Sequence, residues 1–132
     1  MLGFENIDKV TLLKEQFIPE EWGGANELHL LKNNKVGVLA HIVKFDEEGN
    51  RHYYSSTFCF APETFEYTPM KIIVIRHNFE DGEYKSPDLV DVIFSGGIVR
   101  IENGKANLYC GVSDAEAHMI AIDDPFLEYE NN

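Results

Sequence analysis

Residues Lys85 to Asp114 read K-S-P-D-L-V-D-V-I-F-S-G-G-I-V-R-I-E-N-G-K-A-N-L-Y-C-G-V-S-D, and the reading of this stretch decides the fold. A polar, turn-prone opening gives way to an apolar, β-branched run, and a second such run follows Asn103-Gly104. Asn-Gly between two such runs is the strongest short-range hairpin signal, because both residues tolerate the positive φ that a type I′ turn demands. The stretch is therefore predicted to be a strand, a two-residue turn and a strand. Gly96 and Gly97 interrupt the first strand with no side chain to pack, which predicts a bulge or a place where something approaches the backbone closely.

Working outward, the same grammar fills most of the chain. Upstream, strands are predicted at Leu28 to Leu31, Val36 to Phe45, Tyr53 to Phe60 and Met70 to Ile75, separated by the polar turns 32–35, 46–50 and 61–64. Downstream they are predicted at Val90 to Ile101, Lys105 to Val112 and Glu116 to Ile122, with a further one at Leu127 to Tyr129. Short strands joined by short polar turns describe an antiparallel meander. A polar gap from Arg76 to Pro87 divides the chain into units at about 20–75 and 88–130, and residues 1–19 form an entry segment with one short strand at Val10 to Leu13.

The two units resemble each other. Sliding the chain by 70 positions lays Leu28–Leu39 over Ile98–Tyr109, with Asn33 and Lys35 falling on identical residues and the apolar positions largely coinciding. Meanders repeating at this scale suggest propeller blades. The expected fold is all-β: two four-stranded antiparallel blades, a partial propeller. Two blades cannot close a ring and would leave an apolar face and an unpaired edge. Either the chain is a piece of a longer protein or it pairs with copies of itself or a complementing propeller fragment.

Composition narrows the function. The 132 residues carry 23 acidic against 11 basic side chains, a formal charge of −12, with no Lys/Arg cluster. Nucleic acid is an improbable partner for such a chain, since phosphate neutralisation needs clustered cations. No apolar run approaches the ~20 residues of a membrane-spanning helix, and Met1 to Glu5 do not read as a secretory signal, so the expected location is cytoplasmic. Cys59 and Cys110 lie in apolar strands without metal-ligand spacing, which fits buried reduced thiols. His29, His41, His52, His77 and His118 include no pair with the tight spacing of a helical zinc site, so no metal and no other cofactor is expected.

Three motifs in order carry a resemblance: Trp22-Gly23-Gly24-Ala25-Asn26-Glu27-Leu28, Pro87-Asp88-Leu89-Val90-Asp91 through Gly97, and Tyr109-Cys110-Gly111-Val112-Ser113-Asp114 through His118. Together they resemble the domain of unknown function 1861 family, which is similar in turn to the five-bladed β-propeller mannoside phosphorylases of glycoside hydrolase family 130. The likeness is to the later blades only. It implies a carbohydrate-active propeller with a sugar site at the ring axis, where a carboxylic acid protonates the glycosidic oxygen and inorganic phosphate, held by cations, attacks the anomeric carbon. Because the blades bearing the general acid would lie upstream, the chain is expected not to catalyse alone.

On the residues themselves, Trp22 offers a stacking face, and Asn26, Asp88, Asp91, Tyr109, Asp114 and His118 offer hydroxyl partners, each with turn capping or core packing as the plainer reading. Glu27 is the substitute general acid if the chain works by itself. Arg76, Lys85 and Arg100 are the cations near the organising stretch and the candidate phosphate ligands. The alternative function is a non-catalytic binding or self-associating interaction module.

Overall fold

Alternation in Lys105–Val112 is the simplest case of sequence becoming structure here: Ala106, Leu108, Cys110 and Val112 are buried, while the residues between them face outward. Side chains on a strand point to opposite faces in turn, so period-two hydrophobicity buries one face of a sheet. A computed structural model describes residues 16–79, 82 and 86–131. The strand expected at Val10 to Leu13 lies outside them, as does Lys85.

The first meander is β1 (Trp22–Leu30), β2 (Val36–Phe45), β3 (Arg51–Phe60) and β4 (Lys71–Val74). The second is β5 (Asp91–Ile101), β6 (Lys105–Val112) and β7 (Glu116–Asp123), followed by one helical turn, α1 (Leu127–Glu130). Neighbouring strands within each meander are antiparallel, and a short parallel pairing of His52 with Asp91 and Tyr53 with Val92 joins β3 to β5. The fold is the all-β partial propeller that the strand pattern predicts.

The internal repeat holds at the level of register. Leu30 pairs with Val36 and Leu28 with Val38; 70 residues on, Arg100 pairs with Ala106 and Ile98 with Leu108. Both inner strands then carry a bulge at the same place, leaving Asn26 unpaired between Ala25 and Glu27, and Gly96 unpaired between Ser95 and Gly97. Turn geometry repeats as well, with Asn34 at φ 64° and Gly104 at φ 72°.

Several boundaries differ from the sequence reading. Asn103 and Gly104 both have positive φ, but Ile101 pairs with Lys105, so the loop holds three residues, Glu102 to Gly104, instead of two. β1 includes Trp22-Gly23-Gly24, because its ladder with β2 runs to Trp22 opposite Val43. β4 has only four residues, and it pairs with β3 alone.

The strand expected at Leu127 to Tyr129 is the helical turn α1, so the second meander has three strands. Pro125 has no amide to give a ladder, and Asp124 turns the chain by accepting the Phe126 amide on its carboxylate at 2.9 Å. Phe126 and Tyr129, three residues apart, then fall on one side of the turn and are both buried.

The core lies between the two meanders. Leu31, Leu39 and Cys59 of the first join Ile93, Ile98, Ala106, Leu108, Cys110 and Val112 of the second in one cluster, closed by Phe126 and Tyr129. Buried hydroxyls cross the same interface, Ser55 to Ser95 at 2.5 Å and Thr57 to Tyr129 at 3.2 Å. Phe126 is fully buried against Gly37, where an added Cβ would come within 2.6 Å of the Phe126 ring, so only glycine leaves room for it. Arg100 lies over that ring, 5.9 Å from its centroid, and reaches Asp124 at 2.7 Å and the Glu130 carboxylate, which also accepts the Lys32 amide at 2.8 Å. Both thiols are buried and unbonded, and burial pushes the Cys110 thiol up to about 12.

Phe126→Ala is expected to cost about 3–5 kcal/mol of stability, because it empties a fully buried site that the surrounding strands are too rigid to collapse into. Chemical denaturation would show this as a fall in midpoint with an unchanged slope.

Candidate functional site

The bulges decide what the inner strands present. Asn26 bulges out of β1, and its Oδ1 sits 3.0 Å from Nδ1 of His41 on β2. With that oxygen as acceptor, Nδ1 carries the proton and Nε2 is left as an acceptor. Burial lowers the His41 pKa, which favours the neutral ring. Gly24, opposite His41, leaves open the space beside the ring, since an added Cβ would lie 3.5 Å from Cε1. The His41 ring stacks on Tyr53 at 6.2 Å with only 5° between planes, and Tyr53 meets Phe94 of β5 at 4.9 Å.

Glu27, next to Asn26 on β1, ties that strand to the second inner strand, β5. Its carboxylate accepts the Ile98 amide at 3.2 Å and a hydrogen bond from His29. An added Cβ at Gly97 would lie 2.9 Å from that carboxylate. The close approach that Gly96-Gly97 announces is thus made by Glu27 of the neighbouring strand. Asn26, His41, Tyr53 and Phe94 consequently form one strip spanning both meanders, with the Phe94 ring exposed and glycine beside His41.

A polar hub lies beside the strip where β3 meets β5. His52 holds Asp91 through Nδ1 at 2.6 Å and Asp46 through Nε2 at 3.0 Å, and Tyr54 donates to Asp91 at 2.8 Å. Asp91, then Asp46, raise the His52 pKa, because both stabilise the imidazolium. His52 in turn holds Asp46 well below the usual carboxylate range. Burial, with Asp91 second, pushes the Tyr54 hydroxyl up to about 12.

The remaining expected site residues are dispersed. Trp22 is exposed at the start of β1 and packs on Phe45 at 5.3 Å, and Arg51 lies over the Phe45 ring at 5.8 Å. Asp88 sits in the turn before β5, accepting from Ser86 and 3.4 Å from Arg51. Tyr109 and His118 line an open groove of about 460 Å³ on the second meander, with His118 paired to Glu116 at 2.7 Å. Asp114 occupies the β6–β7 turn at φ 54°. Arg76 is buried and donates to Ser113 at 3.0 Å, and Arg100 is engaged by Asp124 and Glu130. Among the described residues, no group of three or more His, Cys, Asp or Glu is arranged to hold a metal ion.

The sequence reading did not nominate His41, Tyr53 or Phe94. Counting pairs outward from the Leu30–Val36 turn would place His41 opposite Ala25; only the Asn26 bulge shifts the register and sets it opposite Gly24. The bulge at Gly96 was legible from its glycines, whereas the one at Asn26 carries no such mark.

Residues 1–128 match the family described as Protein of unknown function (DUF1861). The chain is similar in structure to MPT-4, a mannose phosphorylase from Leishmania mexicana solved with a phosphate ion, at TM-score 0.83 and 36% identity over 95% of this chain and 40% of that one. It is similar to MPT-1, a GDP-Man-dependent mannosyltransferase from Leishmania mexicana, at TM-score 0.81 and 31% identity over 93% of this chain and 41% of that one. A hypothetical protein from Leishmania major matches at TM-score 0.80 and 36% identity over 96% of this chain and 41% of that one. No curated protein matches the chain. The chain spans about two fifths of the length of the solved relatives.

The hub makes a residue-specific pH prediction. A folded-state pKa above the 6.5 of ordinary histidine means that the His52 contribution to stability is fully present below about 6.5 and is lost as pH rises through the folded value. His41, shifted the other way, disfavours the folded state as pH falls below 6.5. By NMR titration His52 is expected to have its midpoint above 6.5 and His41 below it, and Asp91→Asn to bring down the His52 midpoint and leave that of His41 in place. A His52 midpoint indifferent to Asp91→Asn would remove the hub.

Proposed function

The chain belongs to the DUF1861 family, and on that premise we propose that it is a carbohydrate-handling part of a glycoside-phosphorylase-like β-propeller, binding a mannose-type or other neutral glycoside at the strip of Asn26, His41, Tyr53 and Phe94. The observation that carries this reading is the convergence of both inner strands on one strip that combines aromatic faces with a neutral imidazole. A pyranose has an apolar face of C–H groups and a rim of hydroxyls. The first stacks on aromatic rings; the second needs fixed acceptors and donors. Phe94 and Tyr53 supply the face, Nε2 of His41 accepts a hydroxyl, and the Asn26 amide NH₂ donates to one. No cation is required for a neutral ligand, in keeping with a chain of net charge −12.

Cleavage asks for more than this chain offers. A glycosidic bond is broken by a proton donor at the leaving oxygen together with a nucleophile at the anomeric carbon, either a second carboxylate, an activated water or phosphate. Glu27 is the carboxylate nearest the strip in sequence, and its Oε1 is held by both the Ile98 amide and His29. Arg76 and Arg100 are engaged within the protein. The chain on its own accordingly binds and does not cleave, and inorganic phosphate acts as acceptor in the complete propeller.

Titration of methyl mannoside or a mannobiose into labelled protein is expected to move the resonances of His41, Tyr53 and Phe94. Phe94→Ala or Tyr53→Ala should weaken binding about tenfold, corresponding to ~1.4 kcal/mol of lost stacking. Shifts confined to the Tyr109–His118 groove would relocate the site, and phosphate-dependent release of mannose 1-phosphate by the purified chain would overturn its inactivity.

A further inference from the structure

The backbone pairing that joins the two meanders is short, His52 with Asp91 and Tyr53 with Val92, and both of its faces carry side chains that span it. Successive side chains on a strand point to opposite faces. On one face the Tyr53 ring meets Phe94 at 4.9 Å. On the other, His52 stands between two carboxylates, with Nδ1 2.6 Å from Asp91 on β5 and Nε2 3.0 Å from Asp46 in the β2–β3 turn.

Counting protons shows what this arrangement needs. An ionised carboxylate can only accept, and a neutral imidazole has one N–H and one lone pair, so it holds one carboxylate and turns its lone pair on the other. Only the imidazolium holds both. Asp46 also accepts the Glu48 and Asn50 amides at 2.9 and 2.8 Å, and Asp91 accepts the Tyr54 hydroxyl at 2.8 Å, so each carboxylate is held in place on its own side of the join. Loss of the ring proton takes the group of three from one net negative charge to two, and like charges then oppose each other across it.

The other charged side chains at this corner, among the described residues, are Lys44, the cross-strand partner of His52, and Arg51, 3.4 Å from Asp88 in the turn before β5. Lysine, arginine and aspartate do not ordinarily change charge between about pH 6.5 and 9. His41, against the Tyr53 ring, is shifted to the acid side by burial, and Tyr54 is pushed up to about 12. His52 is thus the group at the join that titrates on the alkaline side of neutrality.

We infer that the join between the meanders is proton-operated: a doubly protonated His52 holds Asp91 and the β2–β3 turn together and keeps Phe94 against Tyr53, and loss of that proton loosens the start of β5 and parts the two rings. Ile93, fully buried, keeps the rest of β5 in the core, so the change is confined to the join and the ring contact beside it. The inference concerns the rings themselves and stands whether or not the strip binds sugar.

NMR of the whole chain from about pH 6.5 to 9 tests it, reading the His52 ring resonances together with the nuclear Overhauser cross-peaks between the Tyr53 and Phe94 rings. The cross-peaks are expected while His52 is protonated and to be lost with the same midpoint as its titration. Asp46→Asn keeps an oxygen for the Glu48 and Asn50 amides and gives Nε2 of a neutral ring a donor, so it is expected to retain the cross-peaks across the whole range. His52→Gln removes the titrating group, and its cross-peaks are expected not to change with pH. Wild-type cross-peaks that persist through the His52 titration overturn the inference. So does a His52 ring already neutral at the acid end, and so does a loss at the wild-type midpoint in either variant. Circular dichroism of both variants separates a loosened join from loss of fold.

Discussion

The face-to-face contact between the two meanders is the constraint from which the other features follow. Each sheet alone would expose an apolar side, and burying Leu31, Leu39 and Cys59 in one cluster with Ile98, Leu108 and Val112 removes those side chains from water. Because the contact is sheet on sheet, it sets the two inner strands close to each other at the ends where both begin. Glu27 fixes the spacing there by placing its carboxylate on the β5 backbone, a position that any residue larger than glycine at 97 would contest. The strip of His41, Tyr53 and Phe94 exists because that spacing brings β2, β3 and β5 within ring-to-ring reach.

Electrostatics divides the molecule into a closed part and an open part. At the far end of the inner strands, Arg100, Asp124, Glu130 and the Phe126 ring make a compact charged lock around α1, in which Arg100 lowers the Glu130 carboxyl to about 2. Arg76, buried, ties the segment after β4 to Ser113 in the β6–β7 turn, whose hydroxyl in turn donates to the Val90 carbonyl. Both arginines join elements distant in sequence. The strip is different in kind: its imidazole is neutral and its rings are partly exposed. A neutral, hydroxyl-rich ligand suits the strip better than an anion does, and the chain's surplus of carboxylates adds to that preference.

How a strand's two faces are used explains why a repeat so weak in identity is so faithful in geometry. Bulge position, turn handedness and hairpin register recur at an interval of 70 residues, while the side chains at equivalent places differ: Leu39 where Tyr109 stands, Leu28 where Ile98 stands. Backbone pairing is fixed by turns and bulges, which a few residues specify. Side-chain identity answers to what covers each face, and that differs between the two meanders.

Local pattern alone determined the succession of strands along the chain, the two-fold repetition and the Gly96 bulge, because period-two hydrophobicity, an Asn-Gly turn and paired glycines act over a few residues and need no distant partner. It misjudged Leu127 to Tyr129, where apolar composition reads as strand but Pro125 and the Asp124 cap start a helical turn whose Phe126 fills the gap beside Gly37. Tertiary structure decided the rest: that Glu27 is the group lying against Gly97, that Arg100 is spent on α1, and that His41 faces Gly24 beside Tyr53 and Phe94. Each depends on how strands and sheet faces meet across the chain, with 71 positions between Glu27 and Ile98 and 30 between Arg100 and Glu130, and not on any residue's neighbours in sequence.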